Sequence, residues 1–312
     1  MARIVFMGTP EFAVPSLRAL LSHHDVVAVV TQPDAPAGRG RAPTPPPVKV
    51  LAIEHGVPVL QPESLKSVEV VDQLRAYAPE VIIVAAFGQI LRRPVLDLPP
   101  HGCVNVHASL LPRWRGASPI SAAIAAGDTM TGVTIMQMDT GLDSGPIVSQ
   151  RSEPIRPDDT AGTLSARLAE LGAELLIETL PAYLAGSIRP QPQDEAQATK
   201  CGLLKKEDGR IDWQRSALEI ERHIRAVSPW PSAFTHWEGR LVRVLRAAVR
   251  EVSAPQLELP AGTVFTTGRA VCVRCGEGAL ELIEVQPEGK RSMSGADFAR
   301  GQRRLIGGRL GS

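Results

Sequence analysis

Apolar and polar residues alternate along the front of the chain in a strand-then-helix rhythm. "RIVFMG" is a short apolar run that ends at a glycine, and "DVVAVVTQ", "EVIIVAAFG", "GCVNVHAS" and "TGVTIMQMD" repeat the pattern. Runs of this length with β-branched residues predict buried strands. Between them, "EFAVPSLRALLSH", "SVEVVDQLRAY" and "SPISAAIAAG" space their apolar residues as helices do. Strands alternating with helices predict an α/β fold, a Rossmann-like parallel-rich sheet covered on both faces. Ligands of such sheets bind beyond the carboxyl ends of the strands.

The pattern changes towards the C-terminus. "RPDDTAGTLSARLAELGAELLIETLPAYLAG" predicts one long helix, with Asp159 or Thr160 as N-cap and Gly186 as its stop. "SIRPQPQDEAQATKCGLLKKEDG" has no period and reads as a linker. Beyond it come the helix "SALEIERHIRAV" and short strands punctuated by Gly and Pro, the pattern of a small OB-like β-barrel. The expected organisation is a catalytic domain over 1–189, a linker over 190–206 and an OB-like domain over 207–312.

One strand is unusual. In "VNVHASLLPRWRGASPI" the residues Asn105, His107 and Ser109 alternate with apolar ones and therefore share a face. That polar face falls at a strand's carboxyl end. A second irregularity is "TQPDAPAGRGRAPTPPPVKV", residues 31–50, with six prolines, two glycines, three cations and one acid. It is read as a long loop without regular structure, of a kind that is often functional.

Composition adds bounds. The 312 residues are 44% hydrophobic and 21% charged, with net charge +1. The balance hides an asymmetry: residues 1–199 carry 15 Lys/Arg and 20 Asp/Glu, net −5, and residues 200–312 carry 19 and 13, net +6. A basic C-terminal third points to a polyanionic partner. Cys103, Cys201, Cys272 and Cys275 are too few for a disulfide scaffold. Cys272 and Cys275 form one C-x-x-C without the second pair that a closed zinc site needs, so both are read as residues of a β-hairpin turning at 276–278, and no metal is expected. "MARIVFMG" is too short for a signal peptide, and no apolar run approaches the ~20 residues of a membrane span, so a cytoplasmic protein away from membranes is expected. "GTPEF" lacks the G-x-G-x-x-G spacing and there is no G-x-x-x-x-G-K-[ST], which argues against dinucleotide and P-loop sites.

The candidate chemistry is acyl or formyl transfer. An Asn amide can donate to a developing oxyanion and a His can move a proton near neutral pH. "MDTGLDSGPI" offers Asp139 and Asp143 to support the imidazole, and Asp143, in a Gly-flanked loop, suits a side chain reaching into a cleft. Ser109 and Cys103 lack the nucleophile-elbow context that a covalent route requires.

"NVHASLLPRWRGASPI" followed by "TGVTIMQMDTGLDSGPI" resembles the signature of the 10-formyltetrahydrofolate-dependent formyltransferases. "RIVFMGTPEFAVPSL", "TQPDAPAGRGR", "KKEDGRIDW" and "IRAVSPWPSAFT" narrow the resemblance, over nearly the full length, to the branch that acts on methionyl-tRNA. The resemblance implies Asn105, His107 and Asp143 as catalytic residues and Ser109, Leu110, Leu111 and Pro112 as the folate-binding segment. It implies 10-formyltetrahydrofolate as donor and the α-amine of initiator methionyl-tRNA as acceptor. Arg39, with Arg41 and Lys49 as helpers, would then enter the tRNA acceptor arm, and Lys205, Lys206 and Arg210 would contact its backbone. A monomer is expected. Ser118 and Ser144 stand where Ala and Thr are common in the family, and Arg41-Ala42 replaces a usual Lys-Lys, which leaves the loop one charge weaker. The competing readings are a formyltransferase of amino-sugar nucleotides, which has no need of the basic loop and tail, and a non-catalytic folate- or RNA-binding protein, which has no need of an intact trio.

Overall fold

The computed structural model describes residues 1–37 and 42–311, which fall into two compact units. Met1–Pro119, Met130–Pro154 and Ser165–Cys201 form the first; Ile120–Thr129, Ile155–Leu164 and Gly202–Ser312 form the second. Two stretches inside the expected catalytic span thus group with the second unit. There, the Arg225 guanidinium donates to the Asp159 carbonyl at 3.1 Å and the Gly162 N–H to the Ser228 carbonyl at 3.0 Å.

The first unit is built on a seven-stranded sheet. Its order is Ile147–Pro154, Met130–Gln137, Cys103–His107, Val81–Ala85, Arg3–Gly8, Asp25–Val30 and Val59–Leu60. The four pairings from Cys103–His107 to Val59–Leu60 are parallel. The two at the other edge are antiparallel. The sheet is therefore parallel-rich rather than wholly parallel. Its continuous apolar runs arise because both faces are covered: Val5, Met7, Ile82 and Val84 pack with Val71 and Leu74 of the helix Val68–Ala76, while Ile4, Phe6, Val81 and Ile83 are equally buried.

The long helix Ala161–Leu184 starts where the capping pattern puts it. The Thr160 hydroxyl accepts from the Thr163 N–H at 3.2 Å, and Gly186 takes φ +70° past the end. A Cβ on its Gly172 would lie 2.8 Å from Val106 Cγ1, so this glycine lets the helix approach the strand that carries His107.

Three expectations are corrected. Residues 31–50 do hold regular structure: Ala35–Ala37 pairs with Ala42–Thr44, and a helix, Pro47–Glu54, starts within the segment. Proline is compatible with a helix's first turn, where its missing N–H has no partner to lose. Residues 190–201 are not a free linker but part of the first unit, where Lys200–Cys201 pairs with Arg115–Gly116 and Gln191 bridges Ile147. Their lack of period reflects attachment through single bonds instead of a repeating face. Cys275 lies one residue beyond the strand Ala270–Arg274 that contains Cys272. Both cysteines are buried, and burial pushes the Cys275 thiol up to about 12.

The second unit is a curled antiparallel sheet in the order Phe234–Trp237, Arg240–Arg250, Ala279–Pro287, Ala270–Arg274 and Val264–Thr267, with Met293–Ser294 added to Ala279–Pro287. Register shifts at 244–247 bend the long strand Arg240–Arg250, as closure of an OB-like sheet requires. Its core includes Trp213, Ile220, Ile224, Val244, Val273, Leu282 and Phe298. The helix Ala217–Ala226 opens with a reciprocal cap, Ser216 Oγ accepting from the Glu219 N–H and the Glu219 carboxylate from the Ser216 N–H.

A Cβ at Gly132 would lie 2.1 Å from the Arg151 carbonyl oxygen of the neighbouring strand. Gly132→Ala is expected to cost roughly 1–3 kcal/mol through forced strand displacement, read as a fall in Tm by thermal unfolding. An unchanged Tm would contradict this close approach.

Candidate active site

Asn105 and His107 lie on one face of Cys103–His107, opposite the Val106 face that the long helix covers. Register places Asn105 beside Val84 on one side and Met136 on the other, and His107 beside Thr134. Asn105 is buried, yet among the described residues no hydrogen-bond partner occupies its amide. The amide atoms are not fully enclosed, so an amide without a protein partner stays open to a ligand.

His107 is 6% exposed. Its Nε2 lies 3.1 Å from the Trp114 carbonyl, which only accepts, so the neutral ring carries its proton on Nε2 and offers Nδ1 as the bare nitrogen. Nδ1 lies 3.8 Å from Asp143 Oδ1, beyond a direct hydrogen bond but well within Coulombic reach. The structure thus divides a task expected of Asp143 alone: the Trp114 carbonyl orients the imidazole, and Asp143 supplies the charge. Burial holds the His107 pKa below the usual histidine value, partly opposed by Asp143 and by the Trp114 carbonyl.

Asp143 is held from several sides. Its Oδ2 accepts from the Gly116 N–H at 2.7 Å, and its backbone takes φ +49°, in the left-handed region that Asp tolerates better than most residues. A Cβ at Gly116, φ +120°, would lie 2.1 Å from the Cys201 carbonyl, so only glycine fits there. Asp139 serves the same loop differently, accepting from the Ser144 hydroxyl and the Gly141 N–H, so it shapes the turn and leaves Asp143 facing the imidazole.

The segment Ser109 to Pro112 turns tightly after the strand. Ser109 Oγ donates to the Arg113 carbonyl at 2.6 Å. Thr134 Oγ1 accepts from the Leu111 N–H and donates to the Ser109 carbonyl, and Gln150 donates to the Leu111 carbonyl. Ser109 and Leu111 are buried, while Leu110 and Pro112 are half-exposed. The Ser109 hydroxyl and the Leu111 peptide groups are therefore already used in closing the turn.

The sequence reading missed the groups that hold this turn from afar. Thr199 Oγ1 accepts from the Trp114 N–H, and Gln193 and Glu195 bond the buried Arg115. Arg115 stood within the quoted signature, but its partners lie in the aperiodic stretch, which gave no signal.

The basic residues are more scattered. Arg39 and Arg41 lie outside the described residues. Lys49 sits in the helix Pro47–Glu54, its Nζ 2.7 Å from Asp34 Oδ1, so its charge is already partnered. Lys205, Lys206 and Arg210 are exposed in the second unit, with no ion pair among the described residues.

Residues 2–180 match the family model for formyl transferase, and residues 203–303 the model for formyl transferase, C-terminal domain. The chain is 52% identical over 302 residues to methionyl-tRNA formyltransferase of Myxococcus xanthus (strain DK1622), covering 96% of this chain and 95% of the relative. It is 51% identical over 311 residues to the methionyl-tRNA formyltransferase of Methylococcus capsulatus (strain ATCC 33009 / NCIMB 11132 / Bath), covering 99% and 100%. The chain belongs to the methionyl-tRNA formyltransferase family. As a member of the methionyl-tRNA formyltransferase family it is an enzyme, and the OB-like second unit coincides with that family's C-terminal domain.

Two solved structures share the fold. HypX from Aquifex aeolicus, in complex with tetrahydrofolic acid, superposes with a TM-score of 0.63 at 19% identity, over 98% of this chain and 48% of that one, so this chain spans about half its length. WlaRD, a sugar 3N-formyl transferase, superposes with a TM-score of 0.66 at 16% identity, over 93% and 99%. No helix among the described residues is long and apolar enough to cross a membrane.

His107 is expected to titrate below pH 6.5 when followed by NMR, and Asp143→Asn to move its titration lower still, because the carboxylate is one of the groups holding the pKa up. With the folded pKa below the unfolded one, this histidine favours the fold above about pH 6.5 and loses that contribution as pH falls through its folded pKa. An upward move in Asp143→Asn would contradict the charge placement.

Proposed function

We propose that this enzyme transfers the formyl group of 10-formyltetrahydrofolate to the α-amine of methionyl initiator tRNA. The observation that carries the chemistry is the free Asn105 amide beside the His107 imidazole, with the Asp143 carboxylate 3.8 Å from its bare nitrogen. The substrates are drawn from the family's name and from the basic second unit, whose residues 202–312 carry 18 Lys/Arg and 13 Asp/Glu, net +5.

In the reaction, the neutral amine attacks the formyl carbon and a C–N bond forms. The Asn105 amide donates to the oxygen as it becomes negative. His107 Nδ1 takes the proton that the amine sheds, and Asp143 stabilises the resulting imidazolium. The intermediate collapses as the bond from carbon to folate nitrogen breaks. The proton passes from His107 to that nitrogen, and tetrahydrofolate leaves. No covalent enzyme intermediate is needed, and the route uses no metal.

The turn from Ser109 to Pro112 serves folate through its shape and through the half-exposed Leu110 and Pro112. Lys205, Lys206 and Arg210 contact the tRNA backbone, with Arg39 and Arg41 on the acceptor arm. Lys49, already paired with Asp34, plays a lesser part. The enzyme works as a cytoplasmic monomer alongside translation.

Asn105→Ala is expected to lower kcat by on the order of 10²–10³-fold, and His107→Ala to leave no measurable turnover with the fold intact by circular dichroism. The deciding assay offers 10-formyltetrahydrofolate with methionyl initiator tRNA, methionyl elongator tRNA and an amino-sugar nucleotide in competition. Formylation of the initiator alone is expected, whereas transfer only to the sugar would overturn the substrate reading.

Arg39→Ala should raise KM for tRNA more than Lys49→Ala does, while leaving KM for folate unchanged. Equal effects of the two would remove the distinction drawn from the Lys49–Asp34 pair.

A further inference from the structure

We propose that Gln193 is a positioning residue for Asp143, gripping the catalytic loop from the segment after the long helix and so setting the carboxylate's distance from His107. This rests on the reading of His107 and Asp143 as the reacting pair. Both protons of the Gln193 amide are used on that loop: Nε2 donates to the Asp143 carbonyl at 2.8 Å and to the Gly145 carbonyl at 2.7 Å. Its Oε1 accepts from Arg115 Nε at 3.0 Å. Arg115 precedes Gly116, whose N–H holds the Asp143 carboxylate. One side chain thereby links the backbone of the Asp143 loop to the turn that binds the Asp143 side chain.

The ring is closed and anchored. Gln191, two residues before, exchanges backbone hydrogen bonds with Ile147 at 2.8 Å in both directions. Arg115 is held bidentately by Glu195, two residues after. Asp143 therefore keeps its left-handed backbone and its aim because three segments converge on it. The charged and titratable groups around it are His107 across the gap, Arg115 and Glu195 from the flanking segments, Asp139 in its own loop and Cys201 behind Gly116. None of these donates to the carbonyls that Gln193 holds.

Two variants test the role. Gln193→Glu keeps the length and the acceptor for Arg115 but cannot donate to the two carbonyls. Gln193→Leu removes donors and acceptor alike. Both are expected to lose kcat by on the order of 10–100-fold, with KM for each substrate little changed, because misplacement acts on the reacting geometry. In Gln193→Leu the NMR titration of His107 should also move down, as Asp143 drifts from its place. Ser216→Ala, a cap substitution in the second unit, controls for lost stability and should move neither reading. If Gln193→Leu does not fold, Gln193→Met takes its place.

Wild-type kcat in Gln193→Glu, or an unmoved His107 titration in Gln193→Leu, would overturn the positioning role. The titration reads geometry whatever the acceptor is. Its result therefore stands apart from a failure of the unaltered enzyme to formylate tRNA, which would overturn the functional reading instead.

Discussion

The two-residue period of Cys103–His107 is the constraint on which the site depends. Pinned between a parallel neighbour and an antiparallel one, the strand turns Val106 to the long helix and Asn105 and His107 to the opposite side. A slip of one residue would bury the amide and imidazole under the helix and present valines to the substrates. The register is protected because each edge of the strand is paired and because Gly172 lets the helix seat closely on Val106.

Burial then shapes the chemistry. A histidine so enclosed resists protonation, and the nearby Asp143 charge opposes that resistance without a direct hydrogen bond. The imidazole is oriented by a backbone carbonyl, so its aim depends on the turn at Trp114, which Thr199 holds in turn. The result is an imidazole that favours its neutral form, with a carboxylate near enough to stabilise the charged one. Asn105 differs: its amide has no partner among the described residues and stays open to a ligand.

The two units divide the charge. The acidic front contains the sheet and the small-scale chemistry, and the basic C-terminal third forms a curled sheet of the kind used to hold nucleic acid through its backbone. Arginines and lysines on such a sheet can bind a long polyanion with little demand on sequence, which leaves selection of the substrate's end to residues nearer the reacting atoms.

The sequence by itself determined the central strands, the long helix with its cap and stop and the barrel-like second unit, and it singled out Asn105, His107 and Asp143 as candidates. Each of these has a local signature: an apolar run, a helical period, a capping residue or a compact motif. Tertiary structure alone decided that Met130–Gln137 runs opposite to both of its neighbours, since residues spaced by two read the same in either direction. It also decided that Trp114, not Asp143, orients the imidazole, and that Asp34 partners Lys49. It turned residues 190–201 from an apparent linker into the clamp behind Asp143. Gln193 lies 50 residues from the carbonyl it holds, and Glu195 lies 80 from Arg115. Side-chain hydrogen bonds over such separations leave no period in the chain, and only the folded backbone brings their partners within reach.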